Sequence, residues 1–320
     1  MTQITVLGSL NYDLVTVSNR LPNAGETIAA TSFETHHGGK GANQARAIAR
    51  LSSPESNVKV RMIGKLGNDA FGKEMLAGML DEGIQCDTLA VLDHQKTGVA
   101  VIFVDESSGE NRILVNAGAN GQFTLDEPIF SLSDSGTQAP DYLVLQNEIP
   151  TDVCYKALED ATARGVKTIY NPSPVPADVN AIPLHNIDYL LVNSTEASLI
   201  SGVAIHEDTA SLNDLKLQAS EAATKLLARG VKTAVIVTLG GKGALALEYG
   251  NTSPTFVPSV KVDTIVDTTG AGDSFMGGVC TMIAQSRSLT EAVTYASKAG
   301  AIAVTRKGAA EGIPYAHEIV

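Results

Sequence analysis

Residues 141–171 read DYLVLQNEIPTDVCYKALEDATARGVKTIYN, and they decide the fold. Tyr142–Leu145 is a short apolar run, Asp152–Arg164 an amphipathic helical pattern, and Val166–Tyr170 a second apolar run rich in β-branched residues. Strand, helix and strand in about thirty residues make a βαβ unit. Its two strands are parallel and need cover on both faces. The same alternation continues toward the C-terminus. Tyr189–Val192 reads as a strand, Ser211–Arg229 as a helix, Thr233–Thr238 as a strand, and Gly270–Ile283 and Leu289–Val304 as helices. Toward the N-terminus, Ile4–Ser9 and Val58–Ile63 read as strands, and Gly41–Leu51 and Phe71–Leu80 as helices.

Three further strand-like stretches stand outside this alternation. Thr27–Thr35 reads as a sheet segment set apart, and Gly98–Val104 and Asn111–Val115 form a hairpin across the Asp105–Glu110 turn. The expectation is one α/β domain over 1–320: a mostly parallel sheet flanked by helices, plus a small β-sheet lid from about 12–38 and 96–116. No long linker and no internal repeat breaks the chain.

The chain has 320 residues, 44% of them hydrophobic and 18% charged, which excludes a disordered protein. A net charge of −12 without any basic run argues against a nucleic-acid partner. No apolar run reaches the roughly 18–20 residues that cross a bilayer. The opening MTQITVLGSLNYD lacks a basic stretch followed by an apolar one, so a signal peptide and a membrane are not expected. Cys86, Cys154 and Cys280 lie far apart and form no CxxC, which fits free thiols in the cytoplasm. The six histidines are scattered, and neighbouring His36 and His37 would point to opposite faces of a strand, so a zinc site is not expected.

Three glycine-rich stretches could carry chemistry: HGGKGAN (37–43), TLGGKG (238–243) and DTTGAGD (267–273). None contains GxxxxGK[ST]. The GxGxxG pattern also fails, because Phe275 stands where the third glycine after Gly270 and Gly272 would be. A nicotinamide oxidoreductase is therefore a poor reading despite the α/β alternation. In DTTGAGD, Gly270, Ala271 and Gly272 lead into an apolar helix, so their N–H groups would be free donors at its N-terminus, an anion cradle. Asp273 stands in the first turn. Alone, it would be an acid favouring the helix dipole. Beside an anion cradle it is arranged like a base that takes a proton from an alcohol attacking phosphorus.

HGGKGAN is a second loop-to-helix entrance. It reads either as a turn packed on a strand, or as a place where Gly39 and Gly41 admit a polyol and Lys40 and Asn43 bond its hydroxyls. Asn11 and Asp13 follow the first strand as further hydroxyl binders, or merely as turn formers. TLGGKG follows a strand, where ligands sit in open α/β sheets, but it could be only a tight hairpin into Ala244–Leu247. Asn193 and Glu196 also follow a strand end, and their plain alternative is a helix start.

Taken in order, GSLNYD (8–13), GGKGANQA (38–45), Glu148, NSTE (193–196), TLGGKG, DTTGAGD and VTRKGA (304–309) resemble the ribokinase-like (PfkB) carbohydrate kinases from end to end. The resemblance implies a Rossmann-like α/β domain with a β lid. It implies transfer of the ATP γ-phosphate to a ribose-like sugar, at O5 in ribose. Asn11, Asp13, Gly39, Lys40, Gly41, Asn43 and Glu148 would hold the sugar, and Asp273 would be the base. Gly270, Ala271 and Gly272 would form the anion hole. Asn193 and Glu196 would act near the phosphates and Mg²⁺, and Thr238, Leu239, Gly240, Gly241, Lys242, Gly243, Gly272 and Ser297 would line the nucleotide pocket. A monovalent cation, usually K⁺, would sit on Asp267, Thr269, Ala303, Arg306 and Gly308. Family members commonly dimerise through the lid. One departure is Gly312, where a Ser often supplies a hydroxyl to the cation. The alternatives are a relative acting on another sugar or a nucleoside, and a silent sugar-binding protein on the same fold. The intact Asp273 and its glycines speak against the latter.

Overall fold

A computed structural model describes residues 1–108, 110–127, 129–130 and 139–320. The main sheet has eight strands: β1 (Thr2–Leu7), β4 (Val58–Ile63), β9 (Tyr142–Leu145), β10 (Lys167–Tyr170), β11 (Tyr189–Asn193), β12 (Ala234–Thr238), β13 (Gly243–Glu248) and β14 (Thr255–Pro258). Their spatial order is β14-β13-β12-β11-β10-β9-β1-β4. All neighbours from β12 to β4 are parallel, and β13 and β14 add an antiparallel edge.

The period of two along each strand separates two cores. Leu143 and Leu145 of β9 face the helices α3 (Thr151–Ala163), α4 (Ser194–Ser201) and α5 (Leu212–Ala228). Val144 faces α1 (Lys40–Leu51), α2 (Ala70–Asp81), α6 (Ala271–Ala284) and α7 (Leu289–Ala303). Fully burying one such Val or Leu contributes about 1.5–3 kcal/mol.

Helix α6 lies between α1 and α7 at near backbone contact, and two consecutive glycines permit it. A Cβ on Gly277 would overlap Ala47 of α1, coming 2.8 Å from its carbonyl carbon. One on Gly278 would come 2.7 Å from the Ala296 Cα of α7. Any larger residue forces the helices apart, so these glycines hold the second turn of α6 against Ala47 of α1 and Ala296 of α7.

A second sheet of four strands has the order β3 (Ser32–Gly38), β2 (Asn11–Ser18), β7 (Gly98–Asp105) and β8 (Asn111–Asn116). The β7–β8 pair is the expected antiparallel hairpin, while β2 and β7 run parallel. Strand β3 begins and ends later than the expected Thr27–Thr35. Its own alternation is weak, and pairing with β2 sets its register, with Val17 opposite Ser32 and Asn11 opposite Gly38. This carries the strand into the glycine loop. Short β5 (Lys65–Gly67) and β6 (Ala90–Leu92) form a separate parallel pair that the sequence did not suggest, and α8 (Ala309–Gly312) is a single turn. Among the described residues no helix is long and apolar enough to cross a membrane.

Candidate active site

The site forms where the N-termini of α1 and α6 meet the start of β2 and the end of β9. Gly39 opens α1 at φ 86°, and a Cβ there would stand 2.6 Å from the Asn11 amide nitrogen. Only glycine adopts that backbone and that approach without strain. The first α1 amides are all engaged. Lys40 N–H donates to Glu148 Oε2 (2.9 Å), Gly41 N–H to Ser9 Oγ (3.3 Å) and Ala42 N–H to the Ser9 carbonyl (2.9 Å). Ser9 Oγ donates to the same Glu148 oxygen at 2.6 Å. Glu148 is thus joined to the α1 entrance.

Asn11 and Asp13 share one face of β2, being two residues apart. Glycines flank Asn11 on both sides, Gly38 on β3 and Gly98 on β7. A Cβ at Gly38 would overlap the Asp13 carboxyl, and one at Gly98 the Asn11 side-chain oxygen. Asn11 Oδ1 accepts from Asn120 Nδ2 (2.8 Å), and Asn120 also grips the backbone of Leu10 on both sides. Burial, and then the neighbouring Glu148 carboxylate, push Asp13 up to about 7, while His36 pulls the other way. Lys40 goes the opposite way: burial disfavours its ammonium, but Asp273, Glu148 and Glu196 outweigh this and hold its pKa above the ordinary lysine value.

Asp273 is buried in the first turn of α6. Asn43 Nδ2 donates to its Oδ2 (3.1 Å) and Gln44 Nε2 to its Oδ1 (3.0 Å). Gly270 caps the helix at φ 77°, with no side-chain cap bond. Ala271 N–H donates to the Thr268 carbonyl (3.3 Å), whereas the N–H groups of Gly270, Gly272 and Asp273 have no acceptor among the described residues. A Cβ on Gly272 would meet nothing within 4 Å. The result is an open patch of helix N-terminal amides beside a buried carboxylate, suited to a transferring anion.

The other expected residues lie at the carboxyl ends of β11 and β12, where Asn193 and Thr238 are register partners. Asn193 and Glu196 form a capping box at the start of α4: Glu196 N–H donates to Asn193 Oδ1 (2.8 Å) and Asn193 N–H to Glu196 Oε2 (2.9 Å). Both therefore have a structural task here. Leu239 is buried; Gly240, Gly241 and Lys242 make a 3-10 turn in which Gly241 faces open space, and Gly243 starts β13. Gly240 packs against Glu207, which accepts from Ser194 Oγ. Ser297 lies on α7 three residues before Gly300, where a Cβ would be 3.5 Å from the Ala271 carbonyl oxygen.

Asp267 accepts from Thr269 N–H (2.9 Å) and Oγ1 (2.6 Å) through Oδ1, and from Gly308 N–H (3.0 Å) through Oδ2. Burial raises its pKa, but these bonds prevail and hold the carboxyl below its usual range. A Cβ on Gly312 would lie 3.3 Å from the Ala303 carbonyl oxygen and 3.9 Å from that of Arg306. One carboxylate and a set of backbone carbonyls thus gather around one turn. Among the described residues no group of three His, Cys, Asp or Glu is placed to hold a metal.

Four side chains in this region escaped the sequence reading. Gln44 is the neighbour of Asn43 in GGKGANQA. Gln146 stands two residues before Glu148, and its Nε2 donates to Gln44 Oε1 at 2.6 Å. Asn171 follows β10, and its contacts to Gln44 (3.4 Å) and Glu196 (3.5 Å) link the two halves of the site. Strand-end position was the available signal for Gln146 and Asn171. Asn120 had none, since its role depends on the backbone of Leu10.

The fold and the site together define a kinase of small hydroxylated molecules: an open parallel sheet, a helix N-terminus shaped for an anion, and a carboxylate beside it. The chain belongs to the pfkB family of carbohydrate kinases, whose model matches residues 1–316. It is 41% identical to the ribokinase of Schizosaccharomyces pombe over 326 aligned positions, covering 100% of this chain and 97% of the relative. Among solved structures it is similar to Arabidopsis thaliana ribokinase complexed with ribose and ATP, at TM-score 0.84, 31% identity and coverage of 100% and 98%. Ribokinase from Cryptococcus neoformans in complex with ADP gives TM-score 0.84 at 30% identity, covering 100% and 99%.

Proposed function

We infer that this protein transfers the γ-phosphate of ATP to O5 of D-ribose, giving D-ribose 5-phosphate and ADP. The observation that carries the reading is the Asp273 carboxylate, held by Asn43 and Gln44 next to the α6 amides that have no acceptor among the described residues. End-to-end similarity to ribokinases supports the choice of sugar. In the reaction O5 attacks the γ-phosphorus, its proton passes to Asp273, and the bond from the γ-phosphorus to the β,γ-bridging oxygen breaks to leave ADP. The Gly270, Gly272 and Asp273 amides face the negative charge that grows on the phosphoryl oxygens, whereas the Ala271 amide, expected in the anion hole with Gly270 and Gly272, is already bonded to the Thr268 carbonyl. Asn11, Asp13, Lys40, Asn43 and Glu148 bind the sugar hydroxyls, with Gly39 and Gly41 giving the backbone room to approach. Thr238–Gly243 and Ser297 line the nucleotide pocket. A panel of D-ribose, 2-deoxy-D-ribose, D-fructose and nucleosides, assayed for ADP release with Mg²⁺ and K⁺, tests this. D-ribose is expected to give the highest kcat/KM, and a nucleoside or hexose ahead of it would overturn the assignment.

Two ions fit the residues present. Glu196 and Asn193 offer only hard oxygens near the nucleotide end, which suits Mg²⁺ held chiefly by phosphates and water. The ion would neutralise phosphate charge. A monovalent cation suits Asp267 and Thr269 with the carbonyls of Ala303, Arg306 and Gly308, and its charge would steady the 267–273 segment. With Gly312 in place of a hydroxyl ligand, affinity for the ion should suffer more than the maximal effect. In a K⁺ titration at constant ionic strength, wild type should be activated, Gly312→Ser should saturate at lower K⁺, and Asp267→Ala should lose the response. A flat wild-type titration on protein freed of K⁺ removes the site.

The four-stranded sheet serves as a lid in this reading, and as the surface of a homodimer. Phe33 on β3 and Leu114 on β8 share one face of this sheet, Ile113 and Val115 of β8 point to the other, and all four are more than half exposed, so the β8 edge strand is apolar on both sides and exposed. Light scattering should give twice the chain mass at assay concentration, and a monomer at every concentration would refute the dimer. Cytoplasmic residence completes the reading, in keeping with three unpaired cysteines.

A further inference from the structure

We propose that Gln146, acting through Gln44, sets the orientation of the Asp273 carboxylate, so that both glutamines are positioning residues for the base. The proposal rests on Asp273 being that base. Gln44 and Gln146 are fully buried, so their amides must find partners inside the protein. An ionised carboxylate accepts only, so the Gln44 amide must turn its NH₂ toward Asp273 Oδ1 (3.0 Å). Its oxygen then points the other way and needs a donor, which is Gln146 Nε2 at 2.6 Å. The row has one polarity, Gln146 to Gln44 to Asp273, and each amide is oriented by the next.

The end of the row shows that this polarity is imposed. Gln146 Oε1 is buried with no hydrogen-bond partner among the described residues. Flipping the amide would set two oxygens against each other at Gln44, so the bare oxygen at the far end is the lesser penalty. Space for that side chain is kept by Gly8, where a Cβ would overlap it. With Asn43 fixing Oδ2 and Gln44 fixing Oδ1, the carboxylate cannot rotate about its Cβ–Cγ bond without losing both bonds. Its remaining lone pairs face a constant direction, as a base awaiting a hydroxyl requires. Gln146 touches neither sugar nor nucleotide in this scheme and acts only through Gln44.

The test is a double-mutant cycle on the full chain with Gln44→Met, Gln146→Met and the pair, alongside Asp273→Asn. Each variant is measured for kcat, for ribose and ATP affinity by calorimetry, and for thermal stability. We expect kcat to fall about 10- to 100-fold in each single variant, with ribose and ATP affinities within about threefold of wild type, out of the 10²–10⁴ that a general base contributes. The double variant should be no slower than Gln44→Met within about twofold. A kcat within twofold of wild type in Gln146→Met, or a double variant whose loss equals the product of the two single losses, overturns the proposal. Should Gln146→Met not fold, Gln44→Glu decides: it keeps the oxygen that Gln146 bonds but turns an oxygen to Asp273, and an unchanged kcat overturns the proposal. An active Asp273→Asn variant would instead defeat the base assignment itself, so the two failures are distinguishable.

Discussion

Asp273→Asn should lower kcat by at least 10²–10⁴ while ribose and ATP still bind. The substitution preserves size and removes proton acceptance, and loss of a general base typically costs that range. The structure adds a detail. Asn43 Nδ2 and Gln44 Nε2 are both donors aimed at the two carboxylate oxygens. An Asn offers one oxygen and one NH₂, so one donor would face another, and an amide must turn or a bond is lost. A buried unpaired donor costs about 1–3 kcal/mol. The melting temperature should therefore drop modestly along with the rate, and affinities should be measured below the new transition. Retention of more than about a tenth of the wild-type kcat would sink the assignment.

Replacing Asp13 should act on the sugar and leave the nucleotide alone. Hydrogen bonds to a charged group are worth about 1.5–3 kcal/mol each, so Asp13→Ala should raise the ribose KM by roughly 10- to 100-fold with the ATP KM changed far less. Equal effects on both substrates contradict the role. Ionisation supplies a second arm. Sugar hydroxyls donate to the carboxylate, so ribose favours the ionised form, whereas the empty site holds Asp13 at about 7 through burial and the Glu148 charge. Ribose affinity should rise with pH through about 7, with proton release on binding, and Asp13→Asn should flatten this dependence.

Stability moves the other way. A carboxyl raised from 3.8 to about 7 binds more protons folded than unfolded between those values, so the sugar-free protein loses stability as pH climbs through that window and stays lower above it. The penalty is on the order of 4 kcal/mol at neutral pH. Asp13→Asn should consequently melt higher than wild type at pH 8 and differ little at pH 4.

The parallel sheet and its helices were legible because apolar runs and amphipathic segments alternate from Tyr142 onward. The glycine stretches were legible because φ near 80° at Gly39 and Gly270 leaves few other residues possible. What escaped depends on distant partners. The true span of β3 is set by its register with β2, not by its own pattern. Edge strand β14 is four residues, lacking any alternation long enough to read. Gln146 gains meaning only from Gln44, 102 positions earlier. Of the expected sugar group, Lys40 bonds Glu148, Asn43 bonds Asp273 and Asn11 bonds Asn120 instead, while Asn193 and Glu196 cap a helix.

The glycine pair that lets α6 slot between α1 and α7 also dictates when the pocket comes into being. Asp273 meets Asn43 across 230 positions of chain. A ribosome making this protein releases the sugar-facing segments early and the base near the end, at roughly 5–20 residues per second. Through that interval the half-made chain holds loose hydroxyl binders with nothing to react with them. A nascent or truncated chain that ends before α6 therefore lacks both the helix that fills the core between α1 and α7 and the base, and has no means to consume ATP.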